Sequence, residues 1–424
     1  MLGAIVKAWP LLLGMFMLMI GNGLQGTLLG VRGGAEGFSD TTLGYVMAGY
    51  FVGFLGGTRA TPWLLRRVGH VRVFAALASL ISAAFILYAA VVHPYAWFAL
   101  RLIIGFCFSG VYVVAESWLN DTATNETRGQ TMSAYIVVQM FGIILSQALL
   151  NVADPGGYDL FIIMSVVVSV SFAPILLSST PVPVFETTRA MTLRRLFRIS
   201  PLGCVAIFLL GAVFACQFGM SAVYASGRGL SNLEISIFIA TIYLGGLVSQ
   251  PPIGWLSDRM DRRYLIAIMT AVGALGCLIA PVIGPSFATI VAAGFFLGTI
   301  SNPLYSLVVA YVNDYLEHED MPAASAGLIL LNGVGAMGAP VIVGLLMDTT
   351  GDAAFFLFLS GCFTAITLYA LWRMRRRPVR VVVGEVAPVV PMSQAVGSIA
   401  ADVARDAAIG QAKEADRREP AAAG

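Results

Sequence analysis

Twelve stretches of roughly 20 apolar residues follow one another along this 424-residue chain. Each is long enough to cross a ~30 Å hydrocarbon core as a helix. In lipid, backbone polar groups must be satisfied internally, so only helices and closed barrels span. Barrel strands would read as ~10-residue alternating segments, and the sequence has none. Composition agrees: 58% of residues are hydrophobic and 11% charged, where a soluble domain carries about 25% charged. A soluble domain and a disordered chain are both excluded.

The predicted spans are 9–30, 40–58, 71–91, 95–119, 130–151, 159–178, 202–224, 233–254, 265–283, 287–311, 322–345 and 354–373. The first has one Lys before it and no small-residue cleavage site, so it reads as a retained span. With the N-terminus inside, 22 Lys and Arg fall in inner segments, while only Arg32 and Arg228 fall in outer loops. This bias places both termini in the cytoplasm.

A loop at 179–201, with Pro181, Pro183 and four arginines, separates six spans from six. A shift of 192 residues brings Gly37, Ser39, Gly53, Trp63 and Arg67 onto Gly229, Ser231, Gly245, Trp255 and Arg259 without a gap. Gln25 falls on Gln217, and Ser133–Ala134 on Ser325–Ala326. The expected organisation is an N-terminal six-helix bundle (1–178), a cytoplasmic central loop (179–201), a C-terminal six-helix bundle (202–375) and a flexible cytoplasmic tail (376–424). Two such pseudo-symmetric halves bind substrate near the midplane between them and expose it alternately by rocking.

Other chemistries lack their residues. Lys occurs only at positions 7 and 413, and neither lies in a phosphate-cradling GxxxxGK[ST] loop. The five cysteines fall inside spans without a CxxC, and the three histidines are scattered. Met15, Met17 and Met19 do not share one helix face. No metal, cofactor or nucleic-acid partner is expected. No HExxH, GxSxG or intramembrane acidic dyad points to an enzyme.

The run Gly254–Arg263, GWLSDRMDRR, resembles the GxLaDrxGrr loop signature of the major facilitator superfamily. Its first-half equivalent, Pro62–Val71, departs from the signature, with Arg66 where the Asp belongs and Pro62 where the first Gly belongs. Arg101 with Gly105 is similar to the superfamily's RxxxG motif. The run Val114–Gln147 resembles the YcaD-like branch of that superfamily. The resemblance covers about residues 9–375. It implies a twelve-helix fold, a bacterial inner membrane and secondary transport.

Several polar residues lie in or beside the spans. Arg101 is an intramembrane charge, roughly 10 Å down its helix. A charge at that depth costs at least ~2.5 kcal/mol unless it faces protein, water or ligand. It is read as a ligand for an anionic substrate or a modulator of proton binding, with hydrogen bonding to helix carbonyls as the structural alternative. Glu116, about 22 Å further on, is the proton-coupling candidate, with a stabilising contact to Arg128 as its alternative. Gln25 and Gln217 occupy matched places in spans 1 and 7, which line the cavity in the superfamily. Asn22 shares a helix face with Gln25. Gln139, Asn302, Tyr305 and Asn332 complete the candidate substrate-binding set. Asp258, Arg259 and Arg262, with Arg67 and Arg128, form the candidate cytoplasmic gate. Asp40 and Asn232 are expected as N-caps.

These features point to a monomeric secondary active transporter of a small organic solute, working in the lipid bilayer by alternating access. Proton coupling is expected from the resemblance. An anionic substrate is favoured because Arg101 has no evident intramembrane counter-charge. The alternatives are proton-antiport efflux of hydrophobic or cationic drugs, and a non-transporting sensor or scaffold, which the degenerate loop at Arg66 keeps open.

Overall fold

The computed structural model describes residues 2–122, 128–177, 191–282, 286–317 and 320–376. The tail from 377 and the first part of the central loop, 178–190, lie outside them. The described chain is helical throughout its length, joined by short turns.

The first set of helices is α1 (Leu2–Ala35), α2 (Asp40–Val68), α3 (His70–Ala90), α4 (Pro94–Thr122), α5 (Arg128–Leu149), α6 (Asp159–Ser171) and the short α7 (Ala173–Leu177). A seven-residue helix, α8 (Leu193–Ile199), occupies part of the segment expected as loop. Its Arg195 pairs with Asp320 at 2.6 Å. The second set is α9 (Pro201–Ala215), a π-turn (Cys216–Met220), α10 (Ser221–Gly227), α11 (Asn232–Ser257), α12 (Arg262–Ile279), α13 (Phe287–Asn313), α14 (Met321–Thr350) and α15 (Ala354–Arg376).

Eleven helical stretches among the described residues are long and apolar enough to cross a membrane. The twelfth expected span, α2, falls short because Asp40, Arg59, Arg66, Arg67 and five glycines dilute its apolar content. It is nonetheless embedded in the bundle, packed along α4 and α14.

Two helix crossings use the same device. In α2 and α4, Gly53 lies against the Leu102 carbonyl and Gly105 against the Tyr50 carbonyl. In α11 and α13, Gly245 lies against the Phe295 carbonyl and Gly298 against the Ile242 carbonyl. Small residues let the backbones touch, which replaces the hydrophobic drive missing between helices in lipid.

The N-caps correct the expectation by one residue. Asp40 and Asn232 are the first helical residues, and the caps are Ser39 and Ser231. Ser39 Oγ accepts from the Thr42 N–H, and Ser231 forms a capping box with Glu234. A serine hydroxyl satisfies an orphan N–H from the half-in flanking position, worth about 1 kcal/mol. Both serines follow a left-handed glycine, Gly37 at φ 77° and Gly229 at φ 71°. The turn geometry is thus repeated at the 192-residue interval along with the sequence.

Helices of the two sets meet through α2 and α14, α5 and α11, and α1 and α10. Gly44 abuts Pro340, Gly344 abuts Asp40, and Gly30 abuts Ala222. Asn151 Nδ2 donates to Ser236 Oγ at 3.0 Å. The Asp348 carboxylate, from the last turn of α14, accepts from the backbone N–H groups of Asp40 (3.0 Å) and Thr41 (2.9 Å) and from the Thr41 hydroxyl (2.5 Å). A carboxylate of one set thus caps an N-terminus of the other, where the helix dipole favours negative charge. All these contacts lie at the end carrying the α1–α2 turn.

Candidate functional site

A cavity of about 980 Å³, its mouth included, lies between the two sets of helices. Helices α1, α2, α4 and α5 contribute one side, and α9, the π-turn, α11, α13 and α14 the other. Five of the sequence-predicted residues line it: Asn22, Gln139, Gln217, Asn302 and Asn332.

Three others do not. Gln25 is fully buried beside Asn22, and its Nε2 donates to Asn22 Oδ1 at 2.9 Å. Asn22 Nδ2 donates onward to the Tyr112 hydroxyl at 3.2 Å, which donates to Met19 Sδ at 3.3 Å. Tyr305 is buried against Phe214, with ring centroids 6.3 Å apart. Arg101 is 0% exposed and sits behind the lining. Its guanidinium lies 5.5 Å from the Tyr50 ring and 5.7 Å from the Phe218 ring. Both ring residues line the cavity, and Arg101 does not. Its Nη2 reaches Met47 Sδ, while Nε and Nη1 have no hydrogen-bond partner. The aromatic faces give a desolvated cation some of the attraction that water would supply.

Glu116 is the one fully buried carboxylate among the described residues. It lies one helical turn beyond Tyr112, a cavity residue. Tyr112, Tyr135 and Tyr305 are within its electrostatic reach. These tyrosines belong to α4, α5 and α13, and so to both sets of helices. The Arg128 side chain, its alternative partner, lies outside the described residues.

The candidate gate residues gather at the end carrying the α2–α3 and α11–α12 turns. Arg67 and Arg259 are exposed, each stacked over a tryptophan four residues earlier, Trp63 at 5.4 Å and Trp255 at 4.1 Å. Asp258 is 41% exposed, and its carboxylate lies 3.6 Å from the Arg262 guanidinium. Arg262 is buried and pairs with Asp314 at the end of α13. These pairs lie within the second set of helices. Burial pushes the Asp314 carboxyl up to about 6, outweighing the opposing pull of Arg262. The folded chain therefore holds this proton more tightly than the unfolded one. Its stabilising contribution is full below about pH 4 and is lost as pH rises through about 6.

Sequence reasoning missed the aromatic lining. Tyr50, Phe51 and Phe54 of α2, Tyr112 of α4, Phe214 and Phe218 near the π-turn, and Tyr243 of α11 all face the cavity. Rings in a span look the same whether they face lipid or a hollow. The tyrosines carried the usable signal, because a hydroxyl at membrane depth needs a partner.

The sequence profile of the Major Facilitator Superfamily matches residues 11–242 and again residues 203–405. An MFS-type transporter named YcaD from Salmonella arizonae is 26% identical over 357 residues, covering 82% of this chain and 91% of the relative. YcaD of Escherichia coli is 26% identical over 355 residues, with the same coverage. Among solved structures, the nucleoside transporter NupG superposes with a TM-score of 0.72 at 13% identity, over 88% of this chain and 100% of that one. A bacterial homologue of the human lysosomal transporter Spinster gives 0.66 at 12% identity, over 86% of this chain and 95% of that one. That structure is inward-facing and occupied. The chain belongs to the Major Facilitator Superfamily and is a YcaD-like, multi-pass membrane transporter.

Proposed function

We propose that the protein is a proton-coupled secondary active transporter of a small, uncharged organic solute. It works by alternating access from the central cavity, between halves bounded as 1–178 and 202–375. The observation that carries this reading is the cavity itself. It is lined from both sets of helices and closed toward the α1–α2 end by direct contacts between them. Such a hollow at a repeat interface is where transporters of this build hold substrate.

Orientation follows from charge. The arginine-rich loops belong on the cytoplasmic side of an inner membrane. The end closed by Asp348 is then the outer one, and the conformation is inward-facing. Asp258 and Arg262 pair within the second half, and in this reading the loop carrying Arg67 and that carrying Asp258 and Arg259, with Arg128 beside them, come together when the cavity turns outward.

Arg101 motivated the expectation of an anionic solute. With Tyr50 and Phe218 screening it, the cavity offers no cation, and the reading moves to an uncharged solute. The proton site we assign to Glu116.

Asp348→Ala removes three bonds holding the outer seal. The loss of such a cap, about 1–2 kcal/mol, is expected to raise the outward-open population about tenfold. The check is labelling of Ala222→Cys, buried against Gly30, by an impermeant maleimide from the outer face. An unchanged rate would remove Asp348 from the seal. The function itself is tested by flux in proteoliposomes under an imposed pH gradient. Solute accumulation that follows the gradient supports it. Binding without flux overturns it.

A further inference from the structure

Resting on that transporter reading, the cavity lining says more about what it carries. Two kinds of group dominate it, flat aromatic faces and carboxamides. Phe218 from the second set and Tyr50, Phe54 and Tyr112 from the first form a continuous row of mutually tilted rings, with successive centroids 5.3, 6.2 and 6.1 Å apart. No Asp, Glu, Lys, Arg or His is among the lining residues.

The carboxamides are not equivalent. Asn22 spends both ends on Gln25 and Tyr112. Asn302 donates to the Gly298 carbonyl at 3.2 Å, and Asn332 to the Ile207 carbonyl at 3.3 Å. Two lining carboxamide atoms stand out because they are buried as well as unpartnered. Gln139 Nε2 on α5 and Gln217 Oε1 on the π-turn are buried without a hydrogen-bond partner. Their residues are 3% and 6% exposed. One is a donor and one an acceptor, and they come from opposite sets of helices. A buried polar atom without a partner costs free energy, which a ligand with the complementary groups recovers.

We propose that the cavity binds an uncharged planar heterocycle whose rim carries both a hydrogen-bond acceptor and a donor, as a nucleobase-like ring does. The ring face stacks on the aromatic wall, and the rim accepts from Gln139 and donates to Gln217. A charged solute would shed its hydration here with no counter-charge to replace it. A purely apolar solute would leave both carboxamide atoms unpaired. A polyol presents hydroxyls all around its edge, and the ring faces that make up much of the lining leave part of them unsatisfied. Because the two open atoms belong to different halves, the ligand bridges them and its binding is sensitive to the rocking motion.

The test is equilibrium binding to the purified full chain in nanodiscs. The probes are uracil and adenine as free bases, uridine and adenosine as nucleosides, glucose as the polyol and benzoate as the charged planar ring. The expected result is binding of at least one base or nucleoside, with neither glucose nor benzoate binding. Gln139→Leu and Gln217→Leu each weaken that binding about tenfold or more, as loss of a buried partner does. Gln139→Asn, which keeps a carboxamide, retains part of it and shows that the site still folds. A nucleoside binding more tightly than its base adds the ribose to the ligand, and the reverse order confines recognition to the ring. No binding by any base or nucleoside overturns the proposal, as does affinity unaffected by both leucine variants. Flux of glucose or benzoate without flux of a base sinks the solute class and leaves the transporter standing. Binding of a base without flux sinks the transporter and leaves the class.

Discussion

Replacing Glu116 with Gln is expected to abolish pH-driven accumulation while leaving solute exchange in place. The argument rests on position. Glu116 is fully buried, one turn past the cavity residue Tyr112, and has tyrosines from both sets of helices within electrostatic reach. A carboxylate kept from water in this way must be neutral or well partnered in each state of a cycle. A proton taken up on one side and released on the other fits that requirement. Gln keeps the shape and the hydrogen bonds but holds no exchangeable charge. Net uptake driven by an imposed pH gradient should fall at least about tenfold, a barrier or coupling change of ~1.4 kcal/mol or more. Solute–solute exchange across the same liposomes should stay within about a factor of three of the parent, under ~0.7 kcal/mol by the same scale. Equal loss of both activities would make Glu116 a structural group, and gradient-driven uptake at the parental rate would move the proton elsewhere.

The second large effect concerns packing. Gly105→Val is expected to prevent the α2–α4 crossing from closing. A Cβ at this position falls well inside contact distance of the Tyr50 backbone carbonyl. Backbone cannot swing aside as a side chain does, so the helices must separate along their length. Overpacking commonly costs about 1–3 kcal/mol, and this case belongs at or above the top of that range. The displaced residue Tyr50 also carries the cavity wall and screens Arg101, so binding should be lost with stability. The matched change at the other crossing, Gly298→Val against Ile242, should behave alike. The measure is the monodisperse yield and thermal stability in detergent. As a control, Gly338→Val faces open space and should be tolerated. Parental stability of Gly105→Val would show that the crossing is not held by backbone contact.

What the sequence made legible follows from the physics of lipid. Long apolar helices and arginine-rich loops are imposed by the bilayer residue by residue, and they can be read one residue at a time. The exception among the spans, α2, is embedded through glycine contacts with α4 and α14 as well as through apolar side chains such as Leu43, Val46 and Met47. Buried amides were also legible, because a polar group at that depth must face protein or a hollow. Which of the two it faces depends on helix rotation, and that is set by neighbours distant in sequence. Hence Gln139 and Gln217 reach the cavity, while Gln25, though matched to Gln217 in the repeat, turns to Asn22. The π-turn at Cys216–Met220 accounts for part of this asymmetry. It inserts one wide turn where α1 continues as a regular helix and so re-aims the side chains around it. Arg101 was visible as a charge, but the Tyr50 and Phe218 rings that cover it come from helices far away in the chain. The clamp at the α1–α2 end escaped notice for the same reason, since Asp348 and Thr41 are 307 residues apart.

The central claim is that the cavity opens alternately to the two sides, and a reversible lock at the outer seal tests it most directly. Thr41 and Asp348 already touch through their side chains. With Cys107, Cys204, Cys216, Cys277 and Cys362 replaced, Thr41→Cys together with Asp348→Cys can be oxidised to a disulfide in proteoliposomes. Flux is expected to stop on oxidation and return on reduction, while solute still binds from the cytoplasmic side of the locked protein. Undiminished flux through the fully oxidised protein would contradict it.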